Sequence, residues 1–134
     1  MEIMYNACYG GFSLSNLAVE MFLQNCGYVY CKFYLSKRIE RDNVHMIHIV
    51  KQLGSKANGK YADIKIACIP PKYRHHYGVS EYDGYESICI DTNAYKVDSV
   101  RNILNNDACD DKLAHICQII DEDEISHIDE NGAV

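Results

Sequence analysis

The chain has 134 residues, 48% of them hydrophobic and 24% charged, and a formal net charge of −6. This length and balance are typical of one globular domain and exclude a largely disordered chain. The negative charge disfavours nucleic acid as a partner, because phosphate contacts need a basic face and cations cluster only at Lys37, Arg38 and Arg41. No apolar stretch is long enough to span a membrane, so no membrane partner is expected.

The seven cysteines predict free thiols rather than a disulfide framework. Their number is odd, no apolar leader precedes them, and most lie inside apolar periodic segments, where a thiol packs as a small hydrophobe. We therefore expect a reducing, cytoplasmic setting. Carboxylates crowd the stretch from Asp107 to Glu130, which is typical of a solvated face or tail; contact with a basic partner is the other interpretation.

The chain opens as strand, glycine turn and helix. Residues 2–8 have a strand pattern that runs into Gly10 and Gly11, and apolar residues from Leu14 to Met21 then follow helical spacing. Ser13 or Ser15 is available as the N-cap, and Gly27 as the stop. The aromatic and β-branched run 28–35 predicts a second strand.

A second helix is predicted over residues 42–54, after a basic connection, with Gly54 as its stop. Residues 56–60 form a turn signal. Residues 62–69 alternate as a strand, which Pro70 and Pro71 end.

Asp83 and Gly84 predict a type I′ hairpin turn between strands at 77–82 and 85–91. Two helical patterns follow, around 97–104 and 113–120. We therefore expect an α/β (α+β) domain over residues 1–128, with helices covering a single-layer mixed sheet whose first strand is central. Residues 129–134 are expected to fray.

The first candidate site is the turn from Cys8 to Ser15. A strand that ends in Gly10 and Gly11 before a helix directs backbone N–H groups and the positive helix end at one spot, which suits a small anion. The hydroxyls of Ser13 and Ser15 would add contacts. No G-x-G-x-x-G or G-K-[ST] fingerprint is present, so a tight turn with a serine cap is the favoured interpretation.

Cys8 is the one candidate nucleophile, because a helix N-terminus favours thiolate. Such a thiol needs a base within hydrogen-bond reach. His75 and His76 are the paired histidines of a predicted loop, and Asp83 could orient one of them. Whether they meet Cys8 in space is open, and the balance favours a protein that is not an enzyme.

The second candidate site is the hairpin. A two-residue loop sets Tyr82 opposite Tyr85, a stabilising aromatic pair, and Glu81 opposite Glu86. The two carboxylates could bind a cation, share a proton or meet a basic group of a partner, or they could splay into solvent, which is slightly favoured. The candidate binding residues here are Glu81, Tyr82, Asp83, Gly84, Tyr85 and Glu86.

No metal site or cofactor is expected. Cys109, His115 and Cys117 are close in sequence, but no C-x2-C spacing occurs and positions i and i+2 lie on different helix faces. The remaining cysteines and histidines follow no recognised ligand spacing.

Four strings together resemble a family of small proteins from tailed phages and giant double-stranded DNA viruses, with the patterns CYGGFxLS, LGxxANG, KIxxIP and YDGxE. In this chain they read CYGGFSLS at 8–15, LGSKANG at 53–59, KIACIP at 65–70 and YDGYE at 82–86. The resemblance covers residues 3–90 and implies a viral gene product acting in the host cytoplasm. It implies no activity, so no catalytic residue is carried over.

Two functions follow as expectations. The first is a non-enzymatic viral accessory protein that binds a host or viral protein through the hairpin and the Gly10–Gly11 turn. The second is an enzyme or binder of a small anionic ligand at the turn, with Cys8 as nucleophile. Homo-oligomerisation is open in either case.

Overall fold

The computed structural model describes residues 1–105 and 111–120, together with the backbone of residues 127–128. Four helices and five strands lie within these ranges. The helices are α1 (Asn16–Cys26), α2 (Val44–Leu53), α3 (Thr92–Leu104) and α4 (Lys112–Ile120). The strands are β1 (Glu2–Asn6), β2 (Ile64–Cys68), β3 (Tyr77–Tyr82), β4 (Tyr85–Ile90) and β5 (His127–Ile128). The expected α+β class is confirmed. The predicted frayed tail, Cys109 and most of the acidic stretch lie outside the described residues.

The strands form two small antiparallel sheets, where the sequence predicted one mixed sheet. One sheet pairs β1 with β2, and the other has the order β3-β4-β5. β1 is buried on both faces: Met4 packs into a core formed with α1 and α2, whereas Ile3 and Tyr5 pack into a second core with β4. β1 is therefore central between two layers, although in its own sheet it has a single described partner strand.

The predicted strand over residues 28–35 is wrong. The chain instead passes through an exposed loop and enters a π-helical segment over Tyr34–Arg38. The outer edge of β1 offers no room for another strand, because the N–H of Met4 donates to the carbonyl of Arg41 at 2.8 Å and that of Asn6 donates to the Glu86 carboxylate. The aromatic composition predicted a strand, but a strand needs a free sheet edge to pair with, and this edge of β1 is already hydrogen-bonded.

Local turn chemistry matches the prediction at the helix ends and the hairpin. Ser15 caps α1 by accepting from the N–H of Ala18, and Gly27 and Gly54 follow α1 and α2 with positive φ. Asp83 (φ 51°) and Gly84 (φ 87°) are both left-handed, which is the type I′ geometry.

Candidate functional site

Asn6, at the end of β1, connects three separate turns by its side chain. Its Nδ2 donates to the carbonyls of Cys8 (2.6 Å) and Gly84 (2.9 Å), and its Oδ1 accepts from the N–H of Asp63 (2.8 Å). Asn6 is fully buried, and its bond to Gly84 is buried, whereas the bonds to Cys8 and Asp63 are partly buried. The glycine turn, the segment before β2 and the hairpin tip are thereby tied to one amide.

Glu86 of β4 is buried and completes this junction. Its Oε1 accepts from the backbone N–H of Asn6 at 2.8 Å. Both of its carboxylate oxygens accept from the guanidinium of Arg41, at 2.5 and 2.8 Å. The same guanidinium lies 3.7 Å above the centre of the Phe12 ring. The bidentate ion pair compensates the buried charge of Glu86 and fixes β4 against β1.

Gly84 lets the hairpin tip touch the glycine turn. A Cβ at this position would lie 2.4 Å from the carbonyl oxygen of Tyr9 and 2.6 Å from the nitrogen of Gly11. Real Cβ atoms do not approach backbone so closely, and Gly84 also has a positive φ. Two independent constraints therefore demand glycine here.

Two further glycines bring the turn before β2 into the same junction. A Cβ on Gly10 would lie 1.9 Å from the carbonyl oxygen of Tyr61, and one on Gly59 would lie 1.9 Å from the hydroxyl of Ser13. The N–H of Gly59 also donates to the carbonyl of Ser13 at 2.7 Å. The two turns are thus in backbone contact over several residues.

This junction presents a group of tyrosines, which we call the tyrosine surface: Tyr9, Tyr61, Tyr82 and Tyr85. The rings of Tyr9 and Tyr85 lie 5.3 Å apart between centroids. Tyr82, which pairs with Tyr85 across the hairpin, is 80% exposed, and Tyr61 is 70% exposed. Tyr61 has a φ of 62°, a region that bulky residues rarely occupy. Backbone strain of this kind is more common at functional positions than elsewhere.

The Cys8–Ser15 turn does not present its serines to a ligand. Ser15 Oγ accepts from Ala18 as the cap and donates to the carbonyl of Lys56 at 2.7 Å. The N–H of Ser15 donates to the carbonyl of Ala57, and Ser13 is buried against Gly59. Both donors of Ser15 are therefore bonded within the chain and Ser13 is buried, which favours the structural interpretation of the two serines.

Cys8 and the histidine pair lie at opposite ends of the hairpin. The carbonyls of Cys8 and Gly84 both accept from Asn6 Nδ2, which places Cys8 at the hairpin tip. His76 precedes β3, and its carbonyl accepts from the N–H of Asp91 at the open end of the hairpin. Six strand residues between them span roughly 20 Å. His76 is paired with Asp98 (Nε2 to Oδ2, 2.7 Å), and Asp83 lies at the tip. The structure therefore does not assemble the Cys8–His–Asp83 set.

The hairpin pairing follows the predicted register, with Glu81 opposite Glu86 and Tyr82 opposite Tyr85. The expectation that both carboxylates splay into solvent is wrong for Glu86, because Arg41 neutralises it in the interior. Glu81 is exposed and accepts from the N–H of Gly84 at 3.1 Å. Glu86 thus meets a basic group, as one interpretation of the hairpin proposed, but that group is Arg41 of the same chain and not part of a partner.

Three residues of the junction were missed by sequence reasoning: Asn6, Arg41 and Tyr61. Asn6 carried a usable signal, because asparagine is disfavoured in strands and stands here at the end of an apolar one. Arg41 was noted for its charge alone, since nothing local predicts its pairing with a residue 45 positions away.

Among the described residues, no group of three or more His, Cys, Asp or Glu side chains is arranged to hold a metal ion. The helices described here are too short or too polar to cross a membrane.

Comparisons with models of known protein families, with curated proteins and with solved structures each found no match to this chain.

Proposed function

We propose that the chain is a non-enzymatic viral accessory protein that binds a host or viral protein in the host cytoplasm. Its contact surface is the tyrosine surface. The observation that carries the proposal is the junction itself, which joins the hairpin and the glycine turn into one surface through Asn6 and Gly84. The viral setting rests on the motif resemblance alone.

Exposed tyrosines on a rigid base suit protein recognition. Each ring offers a large apolar area and a hydroxyl, and it loses little side-chain entropy when it is bound. Tyr9, Tyr61 and Tyr82 are 63%, 70% and 80% exposed. Buried hydrogen bonds hold the backbone beneath them, so a partner would not have to order these turns on binding.

A pull-down from host or infected-cell extract tests the proposal, with captured proteins quantified by mass spectrometry. Tyr82→Ala is expected to weaken capture of a specific partner on the order of tenfold or more, as for a central aromatic contact. Val44→Ala is the matched control, because Val44 is 71% exposed and lies on α2. If Tyr82→Ala and Tyr9→Ala both retain every protein captured by the unaltered chain, the proposal is wrong.

Native mass spectrometry of the purified chain distinguishes a partner from self-association. A dimer that Tyr82→Ala dissociates would make the tyrosine surface a homo-oligomer interface. A monomer that captures a different protein would support the proposed function.

A further inference from the structure

An open cavity of ≈ 330 Å³ lies beside the hairpin, where Glu81 and Glu86 contribute to its lining. Glu81 and Glu86 alternate along their strands with Tyr82 and Tyr85, so they lie on the opposite face of the hairpin from those tyrosines. The cavity and the tyrosine surface are therefore separate sites.

Three cations line this cavity: Lys37, Arg38 and Arg41. Arg41 is bound to Glu86, and these two charges cancel. Lys37 and Arg38 are exposed, and in the part of the chain that the structure describes no hydrogen bond or ion pair engages either side chain. With Glu81 as the remaining carboxylate, the cavity keeps a surplus of positive charge in a chain whose formal net charge is −6.

Apolar surface adjoins the cations. Phe33 lines the cavity and is 61% exposed, and the loop that leads to it exposes Tyr28 (69%) and Val29 (86%). This loop belongs to the run 28–35, whose composition predicted a strand. The exposed ring of Phe33 therefore lies in the same cavity as the cations.

The backbone that carries Lys37 and Arg38 is itself unusual. Both belong to the π-helical segment Tyr34–Arg38, which packs Leu35 into the core and leaves the two cations outside. π-helical turns are rare and are frequently found at functional sites. The segment is held in place, because the carbonyl of Ser36 accepts from the N–H of Leu14 at 2.9 Å.

We infer that this cavity is a second binding site, which takes an acidic side chain of a protein segment that carries an apolar residue next to it. Lys37 and Arg38 bind the carboxylate, and Phe33 contacts the apolar neighbour. The uncompensated cations select the acidic group, and the exposed ring of Phe33 selects the apolar neighbour. The site does not depend on what binds the tyrosine surface.

Selection of a random twelve-residue peptide library on the full chain tests the inference, because it presumes no partner sequence. We expect the recovered peptides to be enriched in Asp or Glu beside an aromatic or aliphatic residue. Their affinity should fall as salt rises, since the contacts are exposed. Arg38→Glu and Lys37→Glu should each weaken a recovered peptide on the order of tenfold or more, and Tyr82→Ala should leave its affinity unchanged.

Arg74→Glu is the matched control, because Arg74 is exposed, undergoes the same charge change and follows β2 rather than lining the cavity. Circular dichroism checks that each variant is folded. Peptides without excess acidic residues, or equal loss of binding in Arg74→Glu, would overturn the inference. So would binding to vesicles containing phosphatidylserine without any acidic peptide, which would assign the cations to a lipid surface. Loss of binding in Tyr82→Ala alone would overturn it while leaving the proposed function standing.

Discussion

Glu86 and Arg41 are 45 residues apart in the chain, and they form a bidentate ion pair with N–O distances of 2.5 and 2.8 Å. The Glu86 side chain is 6% exposed and that of Arg41 19%. One oxygen of Glu86 also accepts the N–H of Asn6, so the carboxylate takes the place of a missing strand on the edge of β1. This pair joins the hairpin to the rest of the fold.

Removing one member of the pair is expected to lower the free energy of unfolding by about 3 kcal/mol, because it leaves the other charge buried without a counterion. Arg41→Met and Glu86→Gln test this singly, and the double variant should be more stable than the sum of the two losses predicts. Urea denaturation of the four proteins gives the coupling. Strict additivity would show that the two side chains do not interact.

Gly84→Ala is expected to destabilise the chain more than Gly11→Ala does. Both glycines have a φ of +87°, so both substitutions incur the cost of a left-handed alanine, about 1 kcal/mol. Only at Gly84 does the added Cβ also meet backbone, whereas at Gly11 it meets open space. Urea midpoints of the two variants should therefore differ, and equal midpoints would contradict the close contact with Tyr9.

The pair of His76 and Asp98 predicts an acid-dependent contribution to stability. The hydrogen bond from His76 holds the pKa of Asp98 below its ordinary value of 3.8, and the charge of Arg101 acts in the same direction. Because the folded pKa is the lower one, this contribution is present above pH 3.8 and is lost as the pH falls through the lowered pKa.

His76→Gln should therefore raise the pKa of Asp98 towards its ordinary value. A carboxyl ¹³C titration by NMR measures that pKa, with Asp63 as an internal reference. An unchanged Asp98 midpoint in the variant would show that His76 does not stabilise the carboxylate.

Alkylation of the cysteines tests whether Cys8 is a special thiol. Cys31, Cys68 and Cys117 are exposed and Cys8 is half-buried. If access decides the rate, iodoacetamide should modify these three exposed cysteines before Cys8. Peptide mapping after short exposure near neutral pH reports the order. Modification of Cys8 ahead of all three would restore the nucleophile hypothesis, which the position of the histidines does not support.

The sequence predicted the parts of the fold that local chemistry decides. The left-handed pair at Asp83 and Gly84 fixed the hairpin register, and Ser15 and Gly27 bounded the first helix. It failed at residues 28–35, where aromatic composition indicates a strand but the edge of β1 is occupied by Arg41 and Glu86. The sequence indicated the Cys8–Ser15 turn and the hairpin as two separate candidate sites. Their union through Asn6 could not be predicted, because it depends on contacts between residues up to 80 positions apart.

The contacts of Gly84 with Tyr9, of Gly10 with Tyr61 and of Gly59 with Ser13 have a consequence for how this chain can vary. The hairpin tip and the turn before β2 each touch the glycine turn, so the three turns cannot change length independently: an inserted residue would disrupt at least one of these contacts. The side chains they display are free of that restriction. Divergent versions of this chain should therefore keep the residue counts of all three turns while exchanging the tyrosines, so that one frame can present different surfaces to different partners.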